Sequence, residues 1–378
     1  MKAQSIKGKT PEEIQAALDN CISEGLNPTL AIAFASVSQD LTAIRRILDQ
    51  AGITIFGLTT NGEFIDEVTE KKSIAIQLLE LNRDAFQIFF EEYPEENYRE
   101  VAQSIARQAQ EKFPEPAYLV GLSYATVDAE EILHGLEDVA GKDINAFGGC
   151  AGDDYSFTTT YVFTNEKETS QGMVCLVFDQ EKVKVSGVAT CGWKAVGTDK
   201  LVTKSEGNHV YTIEGVPAAE ITARYGGLEL TPESQDSLID LAANFPLQLQ
   251  RENGEAVMRP GLVVDWDDYS FYCTGKVPQG SKIRFSLPPD WDVMQKVVTG
   301  VQQLKDSDMP EADAVIVFSC AGRILSFGPM MTSEIEGIRK VWNVPMIGMF
   351  SNAELGRTAG GNLEMHNLTT CCIALKEL

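Results

Sequence analysis

Three apolar, strand-like segments of the sequence run directly into turns made of small polar and acidic residues. The segments are ITIFGL, INAFGG and VPMIGM. Ligands of open α/β sheets bind beyond the carboxyl ends of strands, so we expect these turns to line a ligand site. Cys320 and Arg323, which follow a further strand-like segment, AVIVFS, are expected to join them. The candidate ligand-binding residues are Thr59, Thr60, Asn61, Glu63, Cys150, Asp153, Cys320, Arg323, Ser351, Asn352 and Glu354.

The residue types in this set suit a small zwitterion. Arg323 can hold a carboxylate through two parallel hydrogen bonds, while Glu63 or Glu354 pairs with an ammonium group. A purely structural role is the alternative, because Asn and Gly favour turns and an acid after a turn often caps the next element. For Arg323 the structural alternative is an internal salt bridge.

Two other kinds of chemistry stay open on the sequence. Cys320 or Cys150 can act as a nucleophile if a base such as His366 lowers its pKa, although no local motif of a catalytic triad accompanies either thiol. His366 or His209 can act as the axial ligand of a haem. We therefore expect no cofactor, with haem as the alternative, and we leave enzymatic activity undecided.

Motifs for phosphate and metal binding are missing from the sequence. Neither G-x-x-x-x-G-K-[ST] nor a strand followed by G-x-G-x-x-G occurs, and no two cysteines have the C-x-x-C spacing. Asp265, Asp267 and Asp268 could coordinate a hard cation, but they lack the ligand spacing of a calcium loop. We predict an acidic β-turn there, with Trp266 packed against the protein, and no metal site.

The turns belong to a unit of strand, helix and strand that occurs three times. LAIAFAS, AYLVGL and AVIVFSC begin the units, helical patterns follow, and the segments that carry the turns end them. Asp128 is positioned to cap the second helix, and Thr10 caps an earlier one. Further strands are predicted at SIAIQLL, GMVCLVF and TTCCIAL. The pattern predicts an α/β fold with mixed parallel and antiparallel sheets, packed helices and two domains.

Charge and length narrow the classes of protein. The 378 residues carry a formal net charge of −24. This charge excludes a general nucleic-acid-binding protein, and it disfavours binding to anionic membrane surfaces. No apolar stretch approaches the length of a membrane helix, so we expect a cytoplasmic protein without membrane insertion. We place the boundaries at 1–26 for an N-terminal helix, 27–215 for the first domain and 216–378 for the second.

From about Asn27 onward the chain resembles the FIST family, whose two parts are called the N and C domains. In the first half the resemblance rests on LAIAFAS and IFGLTTNGEF. In the second half it rests on six segments in the expected order: 244–247 (NFPL), 263–265 (VVD), 275–280 (GKVPQG), 318–323 (FSCAGR), 348–354 (GMFSNAE) and 363–369 (LEMHNLT).

The resemblance implies a sensory module for signal transduction that binds a small ligand such as an amino acid. Some members of the family bind haem and report nitric oxide, and many are fused to histidine kinases or cyclic-nucleotide enzymes. Here the sequence ends at Leu378, directly after the last predicted strand. We therefore expect the output to be a separate signalling protein, such as a histidine kinase.

Overall fold

Three repeats with the same order of elements build most of the fold. The computed structural model describes residues 1–123, 126–233 and 241–378. Each repeat has a first strand, a parallel strand–helix–strand unit, a short hairpin and a return strand. The predicted α/β class with mixed sheets, packed helices and repeated units is therefore confirmed.

The first two repeats occupy the amino-terminal half of the chain. Repeat 1 consists of β1 (Lys2–Gly8), α1 (Pro11–Ser23), β2 (Leu30–Ser36), α2 (Leu41–Gln50), β3 (Thr54–Thr60), β4 (Glu63–Ile65), β5 (Val68–Glu70) and β6 (Ile74–Glu80), followed by a 3₁₀ turn (Arg83–Ala85). Repeat 2 consists of β7 (Phe86–Glu92), α3 (Tyr98–Lys112), β8 (Pro116–Leu122), α4 (Ala129–Ala140), β9 (Asn145–Cys150), β10 (Val162–Phe163), β11 (Glu168–Thr169) and β12 (Gly172–Asp179).

Repeat 3 contains an insertion after its first strand, β13 (Val183–Thr190). The insertion consists of β14 (Ala195–Glu206), β15 (His209–Ile213), β16 (Val216–Pro217), α5 (Ala218–Gly226), β17 (Leu247–Leu249), β18 (Val257–Arg259), β19 (Gly261–Asp265), β20 (Ser270–Cys273) and β21 (Lys282–Ser286). The repeat then continues with α6 (Trp291–Ser307), β22 (Ala314–Cys320), α7 (Ala321–Phe327), a 3₁₀ turn (Gly328–Met330), α8 (Met331–Trp342), β23 (Met346–Ser351), β24 (Glu354–Arg357), β25 (Leu363–His366) and β26 (Thr370–Glu377).

Each repeat forms the centre of one six-stranded sheet. The strand order is β1-β6-β2-β3-β10-β11 in sheet 1, β25-β24-β9-β8-β12-β7 in sheet 2 and β13-β26-β22-β23-β4-β5 in sheet 3. The two central strands of each sheet are parallel, and the return strand and the hairpin flank them in antiparallel orientation. The two parallel strands of each sheet therefore end at the same edge of that sheet, where the turns follow.

The repeats exchange their hairpins. The hairpin β4–β5 of repeat 1 completes sheet 3, β10–β11 of repeat 2 completes sheet 1, and β24–β25 of repeat 3 completes sheet 2. Glycines make room for these hairpins. A Cβ atom on Gly57 would lie 2.2 Å from the ring of Phe163, and one on Gly348 would lie 2.0 Å from the ring of Phe64.

The three sheets pack around one shared core, and the helices cover their outer faces. The shared core takes residues from all three sheets, such as Phe34, Leu176 and Phe318, and the rings of Phe34 and Phe318 meet edge to face at 5.6 Å. The outer faces pack against α1 and α2 on sheet 1, α3 and α4 on sheet 2, and α6 and α8 on sheet 3. Hydrophobic burial thus joins all three repeats into one body.

The helix starts follow the capping residues of the sequence. The Glu13 amide donates to Thr10 Oγ1 at 3.4 Å, and the Glu131 amide donates to Asp128 Oδ1 at 3.1 Å, as predicted. Asp40 caps α2 in the same way, at 2.9 Å from the amide of Ala43. None of the helices in the described ranges is long and apolar enough to cross a membrane.

The insertion of repeat 3 forms a small antiparallel barrel, here called the barrel. Its strand order is β18-β17-β21-β14-β15-β20-β19, and only Pro260 separates β18 from β19. The first and last strands of this order, β18 and β19, are thus consecutive in the chain, which closes the sheet into a barrel. The barrel encloses an apolar core that includes Val202, Phe271 and Phe285. The sequence predicted strands in this region but not their closure.

The contact between Gly57 and Phe163 gives a test of the hairpin exchange. We expect Gly57→Ala to lower the free energy of unfolding by about 1–3 kcal/mol, because the new methyl group must displace the Phe163 ring. Phe163→Leu removes the obstructing ring, so the double variant should lose less than the sum of the two single losses. Urea denaturation of all four proteins measures this coupling, and strictly additive losses would show that the ring does not hold the hairpin there.

Candidate functional site

The three turns meet where the parallel strands end, and each turn is bonded to a strand of another repeat. The amide of Asn61 donates to the carbonyl oxygen of Phe350 at 3.0 Å. The amide of Gly152 donates to Thr59 at 2.8 Å, and the amide of Asn352 donates to Cys150 at 3.1 Å. The backbone bonds therefore run around the three repeats in a ring and place most of the predicted site residues in one region.

Two asparagine side chains extend this connection. Asn61 Nδ2 donates to Asn352 Oδ1 at 2.8 Å, and Asn352 Nδ2 donates to the carbonyl oxygen of Ala151 at 2.8 Å. Asn61 Oδ1 accepts from the amides of Asp153 and Tyr155 at 3.1 and 3.0 Å. Asn61 is buried, whereas Asn352 is exposed. The two amides thus join all three turns, and Asn352 brings this network to the surface.

Glu63 is buried below the first turn, and its carboxyl group joins the turn to the return strand of its own repeat. Thr60 Oγ1 donates to Glu63 Oε2 at 2.5 Å, and the amide and hydroxyl of Ser73 both donate to Oε1 at 2.6 Å. Burial raises the pKa of Glu63 from 4.5 to about 7 although these hydrogen bonds favour the charged form.

Glu354 occupies the corresponding position in repeat 3. It accepts from Ser351 Oγ at 2.7 Å and from the amide of Thr369 at 3.4 Å, and burial raises its pKa well above the ordinary value. The acids of the second turn, Asp153 and Asp154, are bonded differently from Glu63 and Glu354, because their donors are Thr158 and Ser36. Ser36 Oγ donates to Asp154 at 2.5 Å, and the Thr158 amide donates to Asp153 at 2.6 Å.

Cys150 and Cys320 are both buried beside these carboxyl groups. Burial raises the pKa of Cys150 to about 12, and burial together with the charge of Glu354 raises that of Cys320 further. A nucleophilic thiol needs the opposite shift. The environment of the two thiols therefore lends no support to the cysteine-enzyme alternative.

Arg323 lies next to the turns, at the start of α7, and is fully buried. Its Nη1 donates to the carbonyl oxygens of Cys191 and Leu368 at 3.0 and 2.9 Å, and its Nη2 pairs with the buried carboxylate of Glu334. Glu334 is in turn held by Thr370 Oγ1 at 2.7 Å. The two terminal nitrogens are thus engaged within the protein, which leaves Nε as the donor for a ligand.

The guanidinium group of Arg323 lies beside two aromatic rings that contact each other, with their centroids 5.5 Å apart. Its Cζ is 5.2 Å from the ring centroid of Trp193 and 5.1 Å from that of Phe327. Arg323 Nε and Trp193 Nε1 are both buried, and within the described ranges of the chain neither has a hydrogen-bond partner. Since buried donors are almost always bonded, the two unbonded N–H groups on these contacting residues are candidates for bonding a small acceptor.

His366 and His209, the two candidate axial ligands of a haem, both have Nε2 within hydrogen-bonding distance of a protein oxygen. His366 is buried with Nε2 3.1 Å from the carbonyl oxygen of Gly356, and burial lowers its pKa to about 4. His209 lies on the barrel with Nε2 2.6 Å from Ser270 Oγ. Axial ligation needs a nitrogen that faces an open, apolar pocket. The geometry of these two imidazoles therefore does not fit a haem.

Two surface depressions of about 470 and 590 Å³ lie around Met1, at the ends of the strands opposite the turns. The amino group of Met1, which lines both depressions, is paired within the protein, since it contacts Asp313 at 3.2 Å and Glu377 at 2.6 Å. We assign no ligand to these depressions.

Several residues of the site were not recognised from the sequence. Ser73 and Thr369 both stand just before a return strand, so comparison of repeats 1 and 3 would have pointed to them. Trp193 lies in the connection between β13 and β14, where nothing in the local pattern marks it. The same holds for Glu334, a helical acid whose burial becomes evident only from the tertiary structure.

The raised pKa of Glu63 predicts a pH-dependent stability. The folded protein binds this proton more tightly than the unfolded chain, so the stabilisation is complete below about pH 4.5 and is lost as the pH rises through 7. The full difference is on the order of 3 kcal/mol. Urea denaturation should show a shallower decline between about pH 5 and about pH 8 for Glu63→Gln than for the unchanged protein.

The exposed Glu67 of the same hairpin supplies the control. Glu67→Gln removes the same formal charge and should keep the original pH dependence. If Glu63→Gln and Glu67→Gln gave identical pH profiles, the Glu63 carboxyl group would not be the group responsible.

Comparison with known protein families agrees with the resemblance seen in the sequence. The model of the FIST N domain matches residues 29–216, and the model of the FIST C domain matches residues 218–357. A search of curated proteins found no match. FIST domains are associated with sensing in signal transduction. Because the two matches cover most of the sequence, the chain belongs to the FIST family.

Proposed function

We propose that this protein is a sensor for a small carboxylate-bearing metabolite, such as an amino acid, and that it reports to a separate signalling protein such as a histidine kinase. The observation that carries the proposal is the pair of buried, unbonded donors Arg323 Nε and Trp193 Nε1 beside the three turns. A carboxylate is a strong acceptor for both, and its charge complements the guanidinium group.

Membership of a sensory family supports the same reading. The second turn also lies close by, because Tyr155 Oη donates to the carbonyl oxygen of Ala321 at 3.1 Å, two residues before Arg323. The polar groups of the turns can therefore contact the remainder of the ligand. In this proposal the buried carboxyl groups of Glu63 and Glu354 hold the turns in position, and Asn352 contributes from the exposed edge.

The location of the donors provides a way to transmit binding. Trp193 lies in the segment between β13 of sheet 3 and β14 of the barrel, and Arg323 also bonds to Cys191 of that segment. The return connection runs beside it, because the amide of Leu287 donates to Lys194 at 2.9 Å. A ligand that bonds Trp193 would favour one arrangement of core and barrel, and a partner protein would read that difference.

A thermal-shift screen with amino acids and with the corresponding decarboxylated amines tests the proposal. A ligand that binds only the folded state raises the melting temperature. We expect a shift with at least one amino acid and none with its amine, because the amine lacks the acceptor. Absence of a shift with every amino acid and small carboxylate would contradict the proposal.

Trp193→Phe tests the position of the site. It keeps an aromatic ring beside Arg323 but removes the indole N–H, so we expect affinity to fall roughly ten- to a hundredfold. Because Trp193 is buried, the smaller ring should also lower the free energy of unfolding by about 1–3 kcal/mol, which urea denaturation measures separately. Trp291→Phe, at an exposed tryptophan, is the matched control and should bind normally. Calorimetric titration measures both, and equal affinities would place the ligand elsewhere.

A further inference from the structure

The acidic turn of the barrel comes together with a histidine that is distant in sequence. One ring nitrogen of His209 and one carboxylate oxygen each of Asp265 and Asp268 lie within 4.8 Å of one another. His209 belongs to β15, Asp265 ends β19, and Asp268 lies in the turn that leads to β20. The sequence predicted this turn as a purely structural element, and the contribution of His209 was not foreseen.

The imidazole of His209 is held in a fixed orientation. Its ring lies between those of Tyr211 and Tyr272, with centroids 4.0 and 3.9 Å away, and it is 91% buried. Nε2 lies 2.6 Å from Ser270 Oγ. Imidazoles that bind metals are commonly oriented by such a second hydrogen bond and by packing of the ring.

Each of the two carboxylates accepts a hydrogen bond from a backbone amide of the turn, and Asp268 also bonds the side chain of Ser270. Asp265 Oδ1 accepts from the amide of Asp267 at 3.0 Å, and Asp268 Oδ1 accepts from the amide of Ser270 at 3.0 Å. Across the described residues, neither carboxylate forms an ion pair with a lysine or arginine. Lys204, on the adjacent strand β14, places Nζ 4.0 Å from the Tyr211 ring instead.

Two carboxylates in proximity repel each other, and this protein already carries a net charge of −24. A divalent cation would remove the repulsion. Nitrogen and oxygen ligands of a tetrahedral zinc ion lie about 2.0–2.2 Å from the ion and hence roughly 3.3–3.6 Å from one another. The three groups must therefore approach one another by at most about 1.5 Å, which rotation of the exposed Asp268 side chain can provide. The histidine favours a transition metal over calcium or magnesium, which prefer oxygen ligands alone.

We infer that His209, Asp265 and Asp268 form a binding site for a divalent transition metal on the outer face of the barrel. The ion would join β15 to the β19–β20 hairpin and so strengthen the closure of the barrel. The site is independent of the proposed carboxylate site, because it uses different residues, which lie on β15 and the β19–β20 hairpin.

Isothermal titration of the metal-free full-length protein with zinc chloride tests the inference. We expect one saturable equivalent of zinc and a rise in the melting temperature. Asp265→Asn should weaken binding at least about tenfold, because it removes a charged ligand while leaving the stacked imidazole intact. His209→Gln should abolish binding, and His134→Gln, at an exposed histidine of α4, should not affect it.

Asp267→Asn is the decisive control. It removes the same charge from the same turn, but Asp267 is not among the three converging residues. We expect this variant to bind zinc with nearly unchanged affinity. Failure of the unchanged protein to bind zinc would overturn the inference. It would also be overturned if Asp267→Asn lost as much zinc affinity as Asp265→Asn, because binding would then reflect nonspecific attraction to an acidic turn.

Discussion

The hairpins that the repeats exchange complete the sheets, and the position of the turns depends on this exchange. Without it, β3, β9 and β23 would each present an unpaired edge, and exposed edges favour pairing with other chains. The hairpin that covers each edge starts in the turn of a different repeat. Consequently the three turns cannot be placed independently, and the hydrogen bonds that join them form only when all three repeats are folded.

The exchange also crosses the border between the two family matches. The hairpin β4–β5 from the first half completes sheet 3, and β24–β25 from the second half completes sheet 2. Phe34 and Phe318 meet in the shared core from the two sides of that border. The two halves therefore share sheets and a core, so we expect them to fold together in one cooperative transition.

Burial of Glu63 and Glu354 follows from the same arrangement. Their turns are covered by strands of other repeats, so the carboxyl groups lose water and must be satisfied by nearby donors such as Ser73 and Ser351. A carboxyl group in these surroundings has a raised pKa, and an approaching cation would lower it again. Protonation and the binding of a charged ligand near the turns are thus physically linked.

The sequence was informative where local patterns decide the structure. The apolar strands β2, β3, β22 and β23 and the capped helices followed from periodicity and capping residues, and the convergence of the turns followed from the parallel order of strands. The exchanged hairpins were not predictable, because a strand such as β10 has two residues and leaves no periodic signal.

The environment of Arg323 shows the same limit at the level of the site. The sequence singled out its guanidinium group, but its partners Glu334, Cys191 and Trp193 come from other elements, and only the fold brings them together. Two of its three nitrogens are bonded within the protein, and among the described residues the third, Nε, has no partner. Because the bonded contacts fix the group rigidly, its remaining N–H points in one direction at little entropic cost, as binding of a small ligand requires. The connection to the barrel passes through the same contacts, so in the proposed function occupancy of this position and orientation of the barrel would form one coupled equilibrium.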